Sequence, residues 1–298
     1  MAAVFRPYTS QPGFSDDYHK VHRFLIDINR ERVTAPGFLW GRWAWAFCLP
    51  FQDAASLHRI GIWEEDSRIA ALATYETAPG EVYLITRPGH EHLKKPMLEY
   101  AIKALSKDGR VRALIADTDR AAQQYAKALG FCPTRDQEHN AAMDIDLSQI
   151  DYSLPPGYSV TSLADTFDMP AYNRVLWRGF NHEGEPPTDE KQLADRRKSV
   201  SSPYDNMSLK IAVAAPDGAF VSYCGMWYDP QTKYALVEPV ATDPAYRRMG
   251  LGKAAVLEGI RRCGQLGAKT AYVGSSQPFY YAIGFKPTLC ETFWEYTH

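Results

Sequence analysis

The sequence predicts an α+β fold built from two similar halves, and three observations lead there. A break at Asp151-Tyr152-Ser153-Leu154-Pro155-Pro156-Gly157 falls almost at the midpoint of the 298 residues, where two prolines and a glycine interrupt both helix and strand patterns. A short string recurs across it. Leu129-Gly130-Phe131-Cys132-Pro133-Thr134 stands before the break and Ile283-Gly284-Phe285-Lys286-Pro287-Thr288 after it, offset by 154 residues. Upstream, Leu98-Glu99-Tyr100-Ala101-Ile102 faces Leu257-Glu258-Gly259-Ile260 at an offset of 159. Matching landmarks in the same order fit a diverged duplication. The third observation is the order of elements in the second half, which alternates strands with helices as a mixed sheet requires. Domains are therefore expected at 1–150 and 151–298, in line with roughly 100–200 residues per domain.

Taken in order, Tyr158–Ser162 reads as a short strand, followed by helices over Asp165–Phe180 and Asp189–Val200. Leu209–Ala214 and Ala219–Tyr228 are apolar runs on either side of Pro216-Asp217-Gly218, which predicts a hairpin. Tyr234–Thr242 is a further strand. Over Gly252–Leu266 the apolar positions Val256, Leu257, Ile260 and Cys263 recur near helical spacing. Lys269–Val273 is a short buried strand, Pro278–Ile283 a short helix, and a closing strand follows.

Composition narrows the function. The chain is 45% hydrophobic and 23% charged, which suits a globular protein with a sizeable core. Its formal net charge of -2 argues against nucleic-acid or anionic-membrane partners, which need a basic patch. No apolar run approaches the ~20 residues of a spanning helix. The start, Met1-Ala2-Ala3-Val4-Phe5-Arg6, lacks the features of a secretion signal. The five cysteines form no Cys-x-x-Cys pair, so neither a metal site nor a disulfide framework is expected. A soluble cytoplasmic protein without a metal is the resulting expectation.

The chemistry concentrates in Val240-Ala241-Thr242-Asp243-Pro244-Ala245-Tyr246-Arg247-Arg248-Met249-Gly250-Leu251-Gly252-Lys253-Ala254. A strand ends in an Asp-Pro turn, and a glycine-containing loop opens directly into a helix. Such a loop gathers backbone N–H groups, and the helix start adds unpaired donors and a partial positive charge. The result suits a pyrophosphate, with Arg247, Arg248 and Lys253 adding cationic groups. Gly250-x-Gly252-x-x-Ala255 also fits a dinucleotide fingerprint loosely. That reading fails, because seven residues separate strand from glycine and only 46 residues follow Gly252, too few for the rest of such a domain.

Arg247-x-x-Gly250-x-Gly252 resembles the Arg/Gln-x-x-Gly-x-Gly/Ala signature of the GNAT acetyltransferase superfamily. Phe279-Tyr280-x-x-x-Gly284-Phe285 is similar to that family's Phe-Tyr-x-x-x-Gly-Phe helix. Both motifs, with fitting elements between them, carry the resemblance over residues 156–298. It implies two tandem GNAT-like domains, each a mixed, mostly antiparallel sheet flanked by helices. It implies acetyl-CoA as cosubstrate, bound by Val240, Ala241 and Thr242 on the strand and by Arg247, Arg248, Met249, Gly250, Leu251, Gly252 and Lys253 in the loop. The family often has an Asn ahead of the second motif; Val273-Gly274-Ser275-Ser276-Gln277 has none, so contacts along the pantetheine arm are expected to differ.

Acetyl transfer needs a deprotonated amine, N–H donors for the oxyanion and a proton for the leaving thiolate. By the resemblance Tyr280 is the proton donor, with Tyr281 exchanging roles if the helix begins one residue out. Glu238 is the candidate base: residues 236, 238 and 240 share one strand face, and the resemblance implies a catalytic carboxylate on that strand; water is the alternative. The first half has no Gly-x-Gly in Pro88-Gly89-His90-Glu91-His92-Leu93-Lys94-Lys95-Pro96, and Ala126 stands where Tyr280 would be, so it is expected to keep the fold without the chemistry. His19-x-x-His22 lies on one helix face without further ligands, and Gly37–Phe47 is an aromatic stretch read as core packing between the halves, with a lining for an apolar acceptor as the alternative. The acceptor is expected to be a small-molecule or peptide amine, attracted by acids in Phe180-Asn181-His182-Glu183-Gly184-Glu185-Pro186-Pro187 and faced by Tyr223, Trp227 and Trp294. A homodimer is left open. The competing function is a non-catalytic acetyl-CoA-binding sensor or scaffold.

Overall fold

The computed structural model describes residues 3–9 and 11–298; Met1 and Ala2, part of the stretch read for a secretion signal, lie outside the described residues. In chain order the elements are β1 (Val4–Pro7), α1 (Asp16–Asn29), α2 (Trp40–Ala46), β2 (Gly61–Glu65), β3 (Arg68–Thr74), β4 (Glu81–Thr86), α3 (Lys94–Tyr100), β5 (Arg110–Ala116), α4 (Arg120–Ala128) and β6 (Cys132–Asp144). They continue with β7 (Ser159–Ser162), α5 (Met169–Gly179), α6 (Glu190–Lys198), β8 (Lys210–Ala214), β9 (Phe220–Tyr228), β10 (Tyr234–Thr242), α7 (Leu251–Gln265), β11 (Thr270–Val273), α8 (Pro278–Ala282) and β12 (Lys286–Thr297). The α+β class with mixed sheets and flanking helices is the one the sequence predicts. Every element expected over 158–298 is present, with ends moved by at most four residues. The largest shift is at α5, which starts at Met169 because Asp168 caps it through Ala171 N–H and Pro170 occupies its first turn.

Two compact units result: Met1–Ala141 with Gly274–Ser276 and Pro287–His298, and Ala142–Val273 with Gln277–Lys286. The division differs from equal halves at 150/151 in one substantial respect. β12 is counted with the first unit, because it pairs antiparallel with β5 from Glu291↔Ala116 to Thr297↔Arg110.

Each unit repeats one ladder. In the first, β1, β2, β3 and β4 pair antiparallel in sequence and β4 pairs parallel with β5. In the second, β7, β8, β9 and β10 pair antiparallel and β10 pairs parallel with β11. The recurring string has the same structure in both places. Gly130 and Gly284 take φ of +94° and +114° at the ends of α4 and α8, a left-handed turn that glycine adopts without a Cβ clash. Phe131 N–H then returns to Ala126 C=O and Phe285 N–H to Tyr280 C=O, at 2.9 and 3.1 Å. Shared topology and shared turn chemistry are what a duplication leaves behind.

In the second unit β9 is buried along its whole length, because helices cover both faces. On one face Tyr172, Val175 and Leu176 of α5 meet Ala212, Tyr223 and Ala241. On the other, α7 approaches so closely that a Cβ on Gly259 would stand 2.6 Å from Met226. In the first unit the aromatic stretch is core: Phe38, Trp40, Trp43 and Phe47 are buried, and Trp43 stacks on Tyr18 with ring centres 5.9 Å apart. His22 is buried against Trp40, and burial pushes its imidazole down to about 3, so it is neutral at ordinary pH.

Candidate functional site

The wall of the site is an interrupted strand. β10 pairs with β11 only as far as Leu236↔Tyr272. Against β9 its register shifts between Val237 and Val240, where two residues of β10, Glu238 and Pro239, oppose one of β9, Gly225. Beyond that bulge the alternation can be read from one bond. Asp243 N–H reaches Val221 C=O at 3.0 Å, so Ala241 turns its backbone groups toward β9 while Val240 and Thr242 turn theirs away, to the side where β11 has parted. The shift corrects the expectation that residues 236, 238 and 240 share a face. Val237 and Val240 now hold like positions opposite Met226 and Cys224.

The loop that follows is held by buried charge. The Asp243 side chain is wholly buried, accepts from Ala245 N–H at 3.0 Å, and lies 3.4 Å from both Arg174 and Arg178 of α5. Arg247, expected as a loop-forming and phosphate-screening group, braces the loop. Its guanidinium donates to Thr242 C=O at 3.2 Å, Gly179 C=O at 3.1 Å and Asn181 Oδ1 at 2.7 Å. Gly179 lets α5 come this close, since a Cβ there would lie 2.6 Å from the Ala241 Cβ.

Arg248 and Gly250 then take φ of +67° and +81°. Left-handed residues in such a turn converge successive N–H groups on one point. Gly250 caps the 15-residue α7 with no side-chain acceptor, and the first i→i−4 bond runs from Ala254 N–H to Gly250 C=O. The N–H groups of Leu251, Gly252 and Lys253 therefore have no partner within the helix.

These parts enclose one cavity of about 730 Å³, lined by Val240, Ala241, Thr242, Arg247, Arg248, Gly250, Leu251, Gly252 and Lys253, and on its other side by Gln277, Phe279 and Tyr280. Of the loop residues expected there, Met249 is absent from the lining and its side chain is 38% exposed. Tyr280 is 7% exposed and faces the cavity, whereas Tyr281 is 37% exposed and does not line it. Burial, with smaller effects of Cys224 and Glu238, raises the Tyr280 phenol above its ordinary range. Glu238 is close enough to act on that phenol electrostatically but does not line the cavity. Gln277 stands at the position where the pantetheine contacts were expected to differ. The fit to a diphosphate-bearing cofactor is good: a cradle of convergent N–H groups, an uncapped helix start and a free strand edge share one opening.

The expected acceptor groups are partly committed elsewhere. Glu185 pairs with Arg174 at 2.7 Å. Trp227 is buried and its ring is faced by the Lys210 ammonium at 3.6 Å, while Tyr223 is wholly buried. Trp294 lies on β12, in the first unit. Sequence reading missed Gly179 and Asp243; the one available signal was Arg174-x-x-x-Arg178, two cations on one helix face. Among the described residues no group of three or more His, Cys, Asp or Glu is placed to hold a metal ion, and no helix is long and apolar enough to cross a membrane.

Residues 171–285 match the model of the Acetyltransferase (GNAT) family, so the second half carries a GNAT domain. The fold of the whole chain is similar to that of a tandem GNAT protein from the clavulanic acid biosynthesis pathway, at 14% identity and a TM-score of 0.63, covering 99% of this chain and 98% of that one. It is also similar to a GCN5-related N-acetyltransferase from Sphaerobacter thermophilus, at 14% identity and a TM-score of 0.61, covering 99% and 95%. A GCN5-related N-acetyltransferase from Kribbella flavida follows at 13% identity and a TM-score of 0.51, covering 94% and 93%. At these identities the likeness is one of fold. No curated protein matches the chain.

Proposed function

We propose that the chain is an N-acetyltransferase that binds acetyl-CoA in its second unit and passes the acetyl group to a primary amine by direct attack. The carrying observation is the uncapped start of α7, which opens with the free edge of β10 onto the cavity beside Tyr280. N–H groups from Arg248 to Lys253 would hold the diphosphate. Backbone groups of Val240 and Thr242 would align the pantetheine arm, with the Thr242 carbonyl shared with Arg247. Acetyl-CoA supplies an activated thioester. Val240 N–H stabilises charge on its carbonyl oxygen, and Tyr280 gives its proton to the departing sulfur. Glu238, or water, takes the proton of the amine.

The first unit is proposed to keep the fold without the cofactor. The space matching the cavity, between β4 and β5, is only about 90 Å³, and Lys94 is ion-paired with Asp119, the cap of α4, across it. One cofactor per chain is expected. The cytoplasm is the proposed location, and the acceptor a small-molecule or peptide amine.

The test is thiol release from acetyl-CoA with a panel of amines, alongside calorimetric titration of coenzyme A. Activity with at least one amine and a stoichiometry near one per chain are expected. Gly252→Val, whose Cβ would already lie 3.1 Å from Thr242 Oγ1, should abolish binding. Tight binding with no thiol release from any acceptor would replace the enzyme by a sensor or scaffold; wild-type affinity in Gly252→Val would move the site elsewhere.

A further inference from the structure

The catalytic wall depends on a bulge, and bulges leave backbone groups outside the ladder. At this bulge a side chain reaches the backbone: the Trp227 indole N–H donates to Glu238 C=O at 3.0 Å. From the same strand, Gly225 makes room for the carbonyl. A Cβ on Gly225 would stand 2.5 Å from that oxygen and 3.0 Å from Pro239 Cδ. The indole is itself braced. Lys210 Nζ lies 3.6 Å from its ring centre and 2.7 Å from Asp205 Oδ1, with both charged side chains almost wholly buried. Two residues beyond the anchored carbonyl comes Val240, which lines the cavity and turns its backbone groups away from β9.

We propose that Trp227 is a positioning residue for acetyl transfer: its N–H fixes the Glu238 carbonyl, and the fixed bulge aims Val240 N–H at the acetyl group. The inference rests on the reading of the second unit as an acetyltransferase. A ring receiving the amine acceptor would need a free face, and Lys210 occupies it. The effect should be confined to the acetyl end, because the N–H groups that would grip the diphosphate lie in the loop beyond Asp243 and are fastened by Asp243 and Arg247 instead.

Trp227→Phe keeps a buried aromatic ring beside Lys210 and deletes the donor. Gly225→Ala pushes the same carbonyl from another direction and leaves the indole untouched. Each is expected to lower kcat about tenfold, less than deleting an oxyanion donor outright. The KM for acetyl-CoA and the affinity for coenzyme A, which lacks the acetyl group, should stay within about twofold. That split is the signature of aim rather than of binding. Unchanged kcat in a folded Trp227→Phe protein overturns the proposal, as does coenzyme A affinity falling in step with kcat. Where Trp227→Phe does not fold, Gly225→Ala decides; if neither folds, Trp227 supports the fold and the positioning role is rejected. A wild-type protein that binds coenzyme A but acetylates no amine would instead sink the acetyltransferase reading on which this one stands.

Discussion

Tyr280 is useful to an acetyltransferase because burial keeps it a phenol. An ordinary tyrosine titrates near pH ~10, and desolvation disfavours the phenolate, so the donor form persists beyond that point. The rate should then climb as the amine loses its proton and show no decline below about pH 10. Tyr280→Phe is expected to lower kcat on the order of 100-fold while coenzyme A affinity stays nearly intact. Steady-state pH profiles of both proteins check this; a falling limb near pH ~10 that vanishes in the variant would mean the phenol titrates normally. Residues of this kind were legible because they sit in local motifs, Arg247-x-x-Gly250-x-Gly252 and Phe279-Tyr280 before Gly284-Phe285. Asp243, Gly179 and the partners that Arg247 takes up were not. Their roles exist only once α5 lies on β10, and no local pattern announces which helix a loop carboxylate will meet.

At the scale of elements, the strands and helices of the second half follow from apolar periodicity and turn residues, yet the bulge in β10 does not. Alternation assigned residues 236, 238 and 240 to one face, and one extra residue reverses that assignment. β12 carries a second surprise, a glutamate in a crowded position. Glu291 lies opposite Ala116, accepts from Asn140 at 3.0 Å, and would have its Oε2 2.0 Å from a Cβ on Gly37. Burial first, and then the Glu138 carboxylate, push it up to about 7, with Arg42 opposing. The sign follows from proton counting. Between an unfolded value near ~4.3 and about 7 the folded chain holds a proton that the unfolded chain has lost. Stability therefore falls as pH rises through that window and levels off above it. Glu291→Gln mimics the protonated acid. It should match wild type near pH ~4 and exceed it by roughly 3 to 4 kcal/mol at pH ~8. Urea melts at the two pH values measure this, and an equal difference at both would refute the titration.

The molecule as a whole shows where a duplication can and cannot be read. The repeat was visible in the sequence because each copy kept its own glycine turn and the string around it; the equal ladders of the two units accompany it. The destination of the last strand was hidden. β12 follows α8 in the chain but hydrogen-bonds to β5, and a strand's own pattern specifies a face to bury, never the neighbour it buries against. The consequence is testable with the first half alone. A piece spanning residues 1–150 retains β1 to β6 but loses the strand that stands between β5 and β6 in the order of the sheet. Seven paired residues of β5 would become an open edge beside the apolar side chains of Val111, Ala113 and Leu114, an invitation to self-association. The piece should be aggregated or lack a cooperative thermal transition, whereas adding a peptide of residues 286–298 in trans should restore one. If residues 1–150 melt cooperatively as a monomer without that peptide, the last strand is dispensable to the first unit, and the two halves would be self-sufficient domains as their sequence alone suggests.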